Sequence, residues 1–168
     1  MNLNDIVIVR SPRRRKTIQS KYKDGKFYVY LPAGMSSKNE EKWIEQMKKL
    51  HERREKRKKL NSDGALMKRA QELNKRFFGG VLTFDIKFVT NQNSRFGSCS
   101  SRKKIIRLSD RLSEMPRWVQ DYVIIHELAH LIHPDHSKRF WEKVHQYRYT
   151  ERARGYLIAV GMTSDDES

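Results

Sequence analysis

The chain has 168 residues, 37% of them hydrophobic, and carries 36 Lys and Arg against 20 Asp and Glu, a net charge of +16. That length fits one domain with a small appended lobe, and the charge makes a field that attracts polyanions. The single cysteine, Cys99, excludes an intrachain disulfide framework and suits a reducing compartment, and no run approaches the ~18 uncharged apolar residues of a membrane-spanning helix.

Residues 1–5 lack the basic start of a secretory signal, so a cytoplasmic location is expected, with no membrane partner. Residues 5–10 are rich in Ile and Val and read as a strand. Residues 17–22 and 26–31 flank Asp24-Gly25, a strong hairpin signal, and the second arm is aromatic and β-branched. A small antiparallel sheet is expected from these three segments. Between the first two lies the basic block Arg13-Arg14-Arg15-Lys16. Residues 39–60 hold no Pro or Gly and predict a helix. Trp43, Ile44, Met47 and Leu50 give its first half an apolar stripe. Its second half is almost entirely charged and contains the block Lys56-Arg57-Lys58-Lys59.

Asn61-Ser62-Asp63-Gly64 breaks the pattern, with Ser62 or Asp63 as a candidate N-cap. Leu66, Ala70, Leu73 and Phe77 then recur at helical spacing until Gly79-Gly80. Residues 82–90 alternate and predict a strand. Residues 94–98 and 104–108 predict two more, joined by a polar turn. Pro116 opens a largely apolar helix, Ser137 caps another, and residues 150–160 form the last, ending at Gly161. Residues 163–168 are a short acidic tail without helix or strand signals. The expected organisation is an N-terminal β lobe and basic linking helix over 1–60, a catalytic domain over 61–162, and the tail 163–168.

The chemistry lies in the apolar helix, where His126-Glu127-Leu128-Ala129-His130 reads His-Glu-x-x-His. Positions i and i+4 share a helical face, so His126 and His130 can aim two imidazoles at one metal. Glu127 falls beside that metal, where a general base for an activated water belongs. A buried helix also needs partners for its polar groups, and one metal ion serves both histidines. A catalytic zinc takes a third protein ligand and keeps a position open. His133 stays on the same face but lies about 10 Å along the axis from His126 at ~1.5 Å per residue. Pro134 disfavours helix at His133, and the chain turns through Pro134-Asp135. His136 can then swing back over the metal, so it is the preferred third ligand, with His133 the alternative. One Zn²⁺ per chain is expected. Oxyanion donors would come from Tyr147, Tyr149, His145 or Arg95. Cys99, with no CxxC partner, reads as a small buried residue.

The stretch from Asp121 through His126-Glu127-Leu128-Ala129-His130 to His136 and Trp141 resembles the YgjP-like metallopeptidase domain, a group related to the WLM and SprT-like zincins. The upstream block Arg95-Phe96-Gly97-Ser98-Cys99-Ser100-Ser101 resembles that family's aromatic-Gly-Ser-Cys-Ser signature. The resemblance implies an α+β fold of the minimal zincin type. It would comprise a backing helix, a small mostly antiparallel sheet, the HExxH helix and C-terminal helices, with ligands at His126, His130 and His136 and the catalytic glutamate at Glu127. It also implies a protein or peptide substrate. The related groups include proteases acting on proteins bound to DNA, and the family has been linked to nucleotide pyrophosphate hydrolysis.

The expected function is therefore zinc-dependent peptide hydrolysis near nucleic acid. The candidate phosphate contacts are Arg13, Arg14, Arg15, Lys16, Lys56, Arg57, Lys58 and Lys59. Two alternatives stand beside it: a metal-dependent nucleoside triphosphate pyrophosphohydrolase, and a non-catalytic basic module with a structural metal. A triphosphate usually calls for Mg²⁺ on carboxylates, and a structural zinc for four ligands and no base.

Overall fold

A computed structural model describes residues 5–92 and 94–161, so the acidic tail predicted over 163–168 lies outside the described residues. The chain is α+β and divides into two compact units, Met1–Lys56 and Arg57–Ser168.

In the first unit, β1 (Ile6–Ser11), β2 (Gln19–Lys23) and β3 (Lys26–Pro32) form a sheet of order β1-β3-β2. The hairpin from β2 to β3 turns on Asp24 and Gly25, with φ of 50° and 78°, the left-handed pair that a two-residue hairpin requires. The sheet is not wholly antiparallel as expected, because β1 pairs with β3 in parallel. Residues 12–18 carry the chain past the sheet's centre, which leaves the middle place to β3. That strand supplies Phe27, Val29 and Leu31, all fully buried. Ile6, Ile8 and Tyr22 join them from the neighbouring strands. The helix α1 (Ser37–Ser62) covers this cluster with Ile44 and Met47. It runs two residues further at each end than the composition predicts. Glu40, on its first turn, accepts two hydrogen bonds from the Arg10 guanidinium at 3.0 and 2.8 Å.

The second unit contains α2 (Ala65–Phe78), β4 (Asp85–Val89), β5 (Gly97–Ser100), β6 (Ile105–Ser109), a short 3₁₀ turn at Asp110–Glu114, α3 (Arg117–Ala129), α4 (Lys138–Val144) and α5 (Thr150–Ala159). Gly64 and Gly79 bound α2 in the left-handed region. Asp63 also holds its start, accepting from the Ala65 N–H at 3.0 Å. The sheet order is β4-β6-β5, with β4 parallel and β5 antiparallel to β6. β5 begins three residues later than expected. Asn61 closes the outer edge of β4 at Phe88, accepting from its N–H at 2.8 Å and donating to its C=O at 3.1 Å. The outer edge of β5 makes no backbone hydrogen bond among the described residues.

The core of this unit gathers Ile106 and Leu108 of β6, Leu112, and the Val119, Ile124, Ile125 and Leu128 row of α3, all nearly or fully buried. α3 is tied to α2 by a two-pronged ion pair, Arg69 to Asp121 at 2.7 and 2.6 Å. Asp121 is buried, so both its oxygens need the donors that the guanidinium fork supplies. No helix among the described residues is long and apolar enough to cross a membrane.

Candidate metal centre

α3 ends at Ala129, earlier than Pro134 alone would dictate, and His130 is its C-cap. The backbone then tightens: Leu131 and Ile132 donate to the carbonyls three residues back, at 3.1 Å each. This turn, followed by Pro134-Asp135, lets His136 return to the end of α3. The Nε2 atoms of His126 and His130 stand 3.2 Å apart, and those of His126 and His136 3.3 Å. The candidate ligand atoms of the three residues all lie within 4.8 Å of one another. Three ligands at the ~2.0–2.1 Å typical of zinc–imidazole bonds, in a tetrahedron, would have nitrogens about 3.3–3.4 Å apart. Two of the three pairs thus stand at zinc-ligand spacing, and the donor set of three imidazoles suits zinc.

The protonation of His126 agrees. His126 is held neutral well below the ordinary imidazole range, first by burial and then by its two histidine neighbours and Arg154. His130 Nδ1 lies 3.1 Å from the His133 carbonyl oxygen. With that N–H donating, the Nε2 lone pair is free to face a metal. His133, the alternative third ligand, thus reaches the site through its backbone, and its ring is not part of the cluster.

The rings rest on an aromatic floor. Phe140 of α4 is fully buried, with its centroid 4.8, 4.5 and 4.8 Å from those of His126, His130 and His136. Trp141 stacks on His136 at 5.8 Å, and the Arg154 guanidinium lies 4.8 Å from the Trp141 ring centre. In the sequence, Phe140 and Trp141 are two neighbouring apolar residues on the helix that follows Ser137. Only the turn that brings His136 back reveals that they carry the ligands.

A cavity of about 250 Å³ opens at the cluster, lined by His126, Glu127, His130 and His136 on one side and by Arg95, Gly97, Ser98 and Cys99 on the other. Glu127 is buried and its carboxylate lies against β5. A Cβ on Gly97 would stand 2.7 Å from Glu127 Cδ and 2.8 Å from Cγ, so only glycine leaves the carboxylate its place. Cys99 is no thiolate here, since burial, and then the Glu127 charge, push its pKa up to about 12. The loop before β5 is pinned by Gln92, which donates to Ser98 Oγ at 2.6 Å, and by Arg111, which donates to the Gln92 carbonyl at 3.1 Å.

Of the four residues named as oxyanion donors, only Arg95 lines this cavity. Tyr147 is buried and donates to the Trp118 carbonyl at 3.1 Å, Tyr149 packs on Trp118, and His145 meets Glu151 at 2.9 Å. The basic candidates are not part of the cavity. Arg13, Arg15 and Lys16 are exposed between β1 and β2, Arg14 is half-buried, and Lys56, Arg57, Lys58 and Lys59 lie on α1.

A family model of the YgjP-like metallopeptidase domain matches residues 61–154. The chain belongs to this family. The match spans α2 through the first half of α5, and so includes the whole histidine cluster and its floor. Two solved structures are similar in part. The crystal structure of the metallopeptidase zymogen of Pyrococcus abyssi abylysin shares 23% identity over 56% of this chain and 90% of its own, with a TM-score of 0.49. That of Methanocaldococcus jannaschii jannalysin shares 17% over 56% and 94%, also with a TM-score of 0.49. No curated protein matches the chain.

The close approach at Gly97 gives a test of the YgjP-like site. The three atoms nearest a Cβ at Gly97 all belong to the Glu127 side chain, so in Gly97→Ala the fold should hold while the Glu127 carboxylate moves. A displacement on the order of 1 Å costs up to about 10²-fold in rate. Steady-state kinetics should show kcat reduced about 10–100-fold with metal content unchanged. An unaltered kcat would mean that the position of Glu127 is not set by β5.

Proposed function

We propose that this YgjP-like domain is a zinc-dependent peptidase in which His126, His130 and His136 hold the metal and Glu127 is the general base. The observation that carries the reading is that His126 Nε2 stands at zinc-ligand spacing from the Nε2 atoms of both His130 and His136, in the same cavity as a buried carboxylate. A zinc ion held there supplies an acidified water and a Lewis acid for the scissile carbonyl. Glu127 takes up a proton on its carboxylate during attack and hands it to the departing amine nitrogen. Burial beside Gly97 keeps that carboxylate aimed and excludes bulk water. The open outer edge of β5 would hold the substrate by backbone hydrogen bonds, as edge strands generally hold extended peptides. Arg95, at the rim of the cavity, is the candidate donor to the developing oxyanion.

The same observations rank the alternatives lower. The metal-ligand cluster comprises three histidines and no carboxylate, a poor match to Mg²⁺–triphosphate chemistry. A structural zinc would be closed by a fourth protein ligand, and among the described residues the ligand cluster holds three histidines and does not include Cys99. The +16 charge supports a substrate found close to a polyanion. Incubation of the zinc-loaded protein with casein and with UTP, each with and without DNA, separates the readings. Casein cleavage without UTP hydrolysis is expected. UTP hydrolysis alone would transfer the site to phosphate chemistry, and no activity on either would favour the structural role.

A further inference from the structure

The N-terminal sheet has a second face that the apolar cluster does not use. Because Phe27, Val29 and Leu31 point toward α1, the alternating residues Tyr28 and Tyr30 project from the opposite face of the central strand. Register places Lys21 beside Tyr28 and Gln19 beside Tyr30. On the other flank stand Val7 and Val9, so this face mixes aromatic, apolar and cationic groups. The Arg14 guanidinium lies 5.4 Å from the Tyr30 ring centre and donates to Gln19 Oε1 at 3.0 Å. A cavity of about 600 Å³ adjoins the β2 edge, lined by Arg14, Lys21, Tyr30 and Arg54 over a floor of Ile18, Met47 and Leu50. None of its lining residues is acidic. Neither Lys21 nor Arg54 makes an ion pair among the described residues.

We propose that this face and its cavity bind single-stranded nucleic acid, with bases on Tyr28 and Tyr30 and phosphates on Arg14, Lys21 and Arg54. The cations answer the phosphates, whose neutralisation releases counterions. An acidic peptide would need only the cations, whereas the paired rings call for a ligand with flat aromatic faces. Tyr28 and Tyr30 are two strand residues apart, about 6.7 Å. That is twice the ~3.4 Å rise of a duplex strand, so the rings suit the splayed bases of a single strand. Sequence reading misses the platform because its rings come from one strand and its cations from a loop, a second strand and a helix.

The test is fluorescence anisotropy of a short labelled oligothymidylate with the full-length protein, which has no peptidase readout and so stands or falls apart from the metal site. Tyr28→Leu/Tyr30→Leu should weaken binding about 10-fold or more. Tyr28→Phe/Tyr30→Phe should bind like the wild type. Arg14→Gln/Lys21→Gln should lower the slope of log affinity against log salt by about 1.4. The charge-matched control Lys75→Gln/Lys103→Gln, on exposed lysines of the other unit, should retain the wild-type affinity. The glutamine pair carries the test alone should leucine disturb the sheet. The proposal is overturned if both pairs bind like the control, or if duplex DNA or polyglutamate binds the wild type as tightly as the oligothymidylate.

Discussion

Glu127→Gln should lower kcat about 10³-fold while leaving zinc bound and the fold intact. Glutamine matches glutamate in size, so it fits the same slot against Gly97 that no Cβ can enter. It cannot take up a proton at neutral pH. The three imidazoles are untouched, because Glu127 is outside the metal-ligand cluster. Single-turnover cleavage of a peptide substrate, read beside metal content, checks both halves. A variant that cleaves like the wild type would remove Glu127 from the chemistry. One that loses its metal would make Glu127 a contributor to the metal site.

Phe140→Ala should destabilise the metal-free protein by about 3–5 kcal/mol, the range for deleting a fully buried aromatic side chain. The same change should weaken metal binding. Phe140 contacts all three histidine rings, so it should help fix their orientation before any ion arrives. Denaturant unfolding of the metal-free protein reads the first effect, and competition with a zinc chelator reads the second. A loss of stability with unchanged zinc affinity would show that the histidines orient themselves without this floor. Phe140→Leu, which leaves a smaller void, should fall between the wild type and the alanine variant on both scales.

The metal-site candidates were legible in sequence because their information is local. His126, Glu127 and His130 occupy five consecutive residues, and Pro134 announces the turn that returns His136. The long-range partners were not legible. Gly97 faces Glu127 across a strand–helix contact thirty residues apart in the chain, and nothing in the Gly-Ser-Cys-Ser run says which side chain it must clear. The start of β5 differs from the expected one for a related reason. Its four residues are small and polar and lack alternation, so pairing with β6 decides where the strand lies. The parallel pairing of β1 with β3 depends on which strand takes the centre of the sheet, and that is settled by burial of Phe27, Val29 and Leu31 together. The part played by His133 escaped a reading of side chains because it is played by a carbonyl oxygen.

The most direct test of the three-histidine centre is elemental analysis of the purified wild type beside His126→Ala and His136→Ala. The wild type should carry one zinc per chain, and each variant should carry almost none while keeping the wild-type circular dichroism. Stoichiometric zinc in both variants would contradict the assignment.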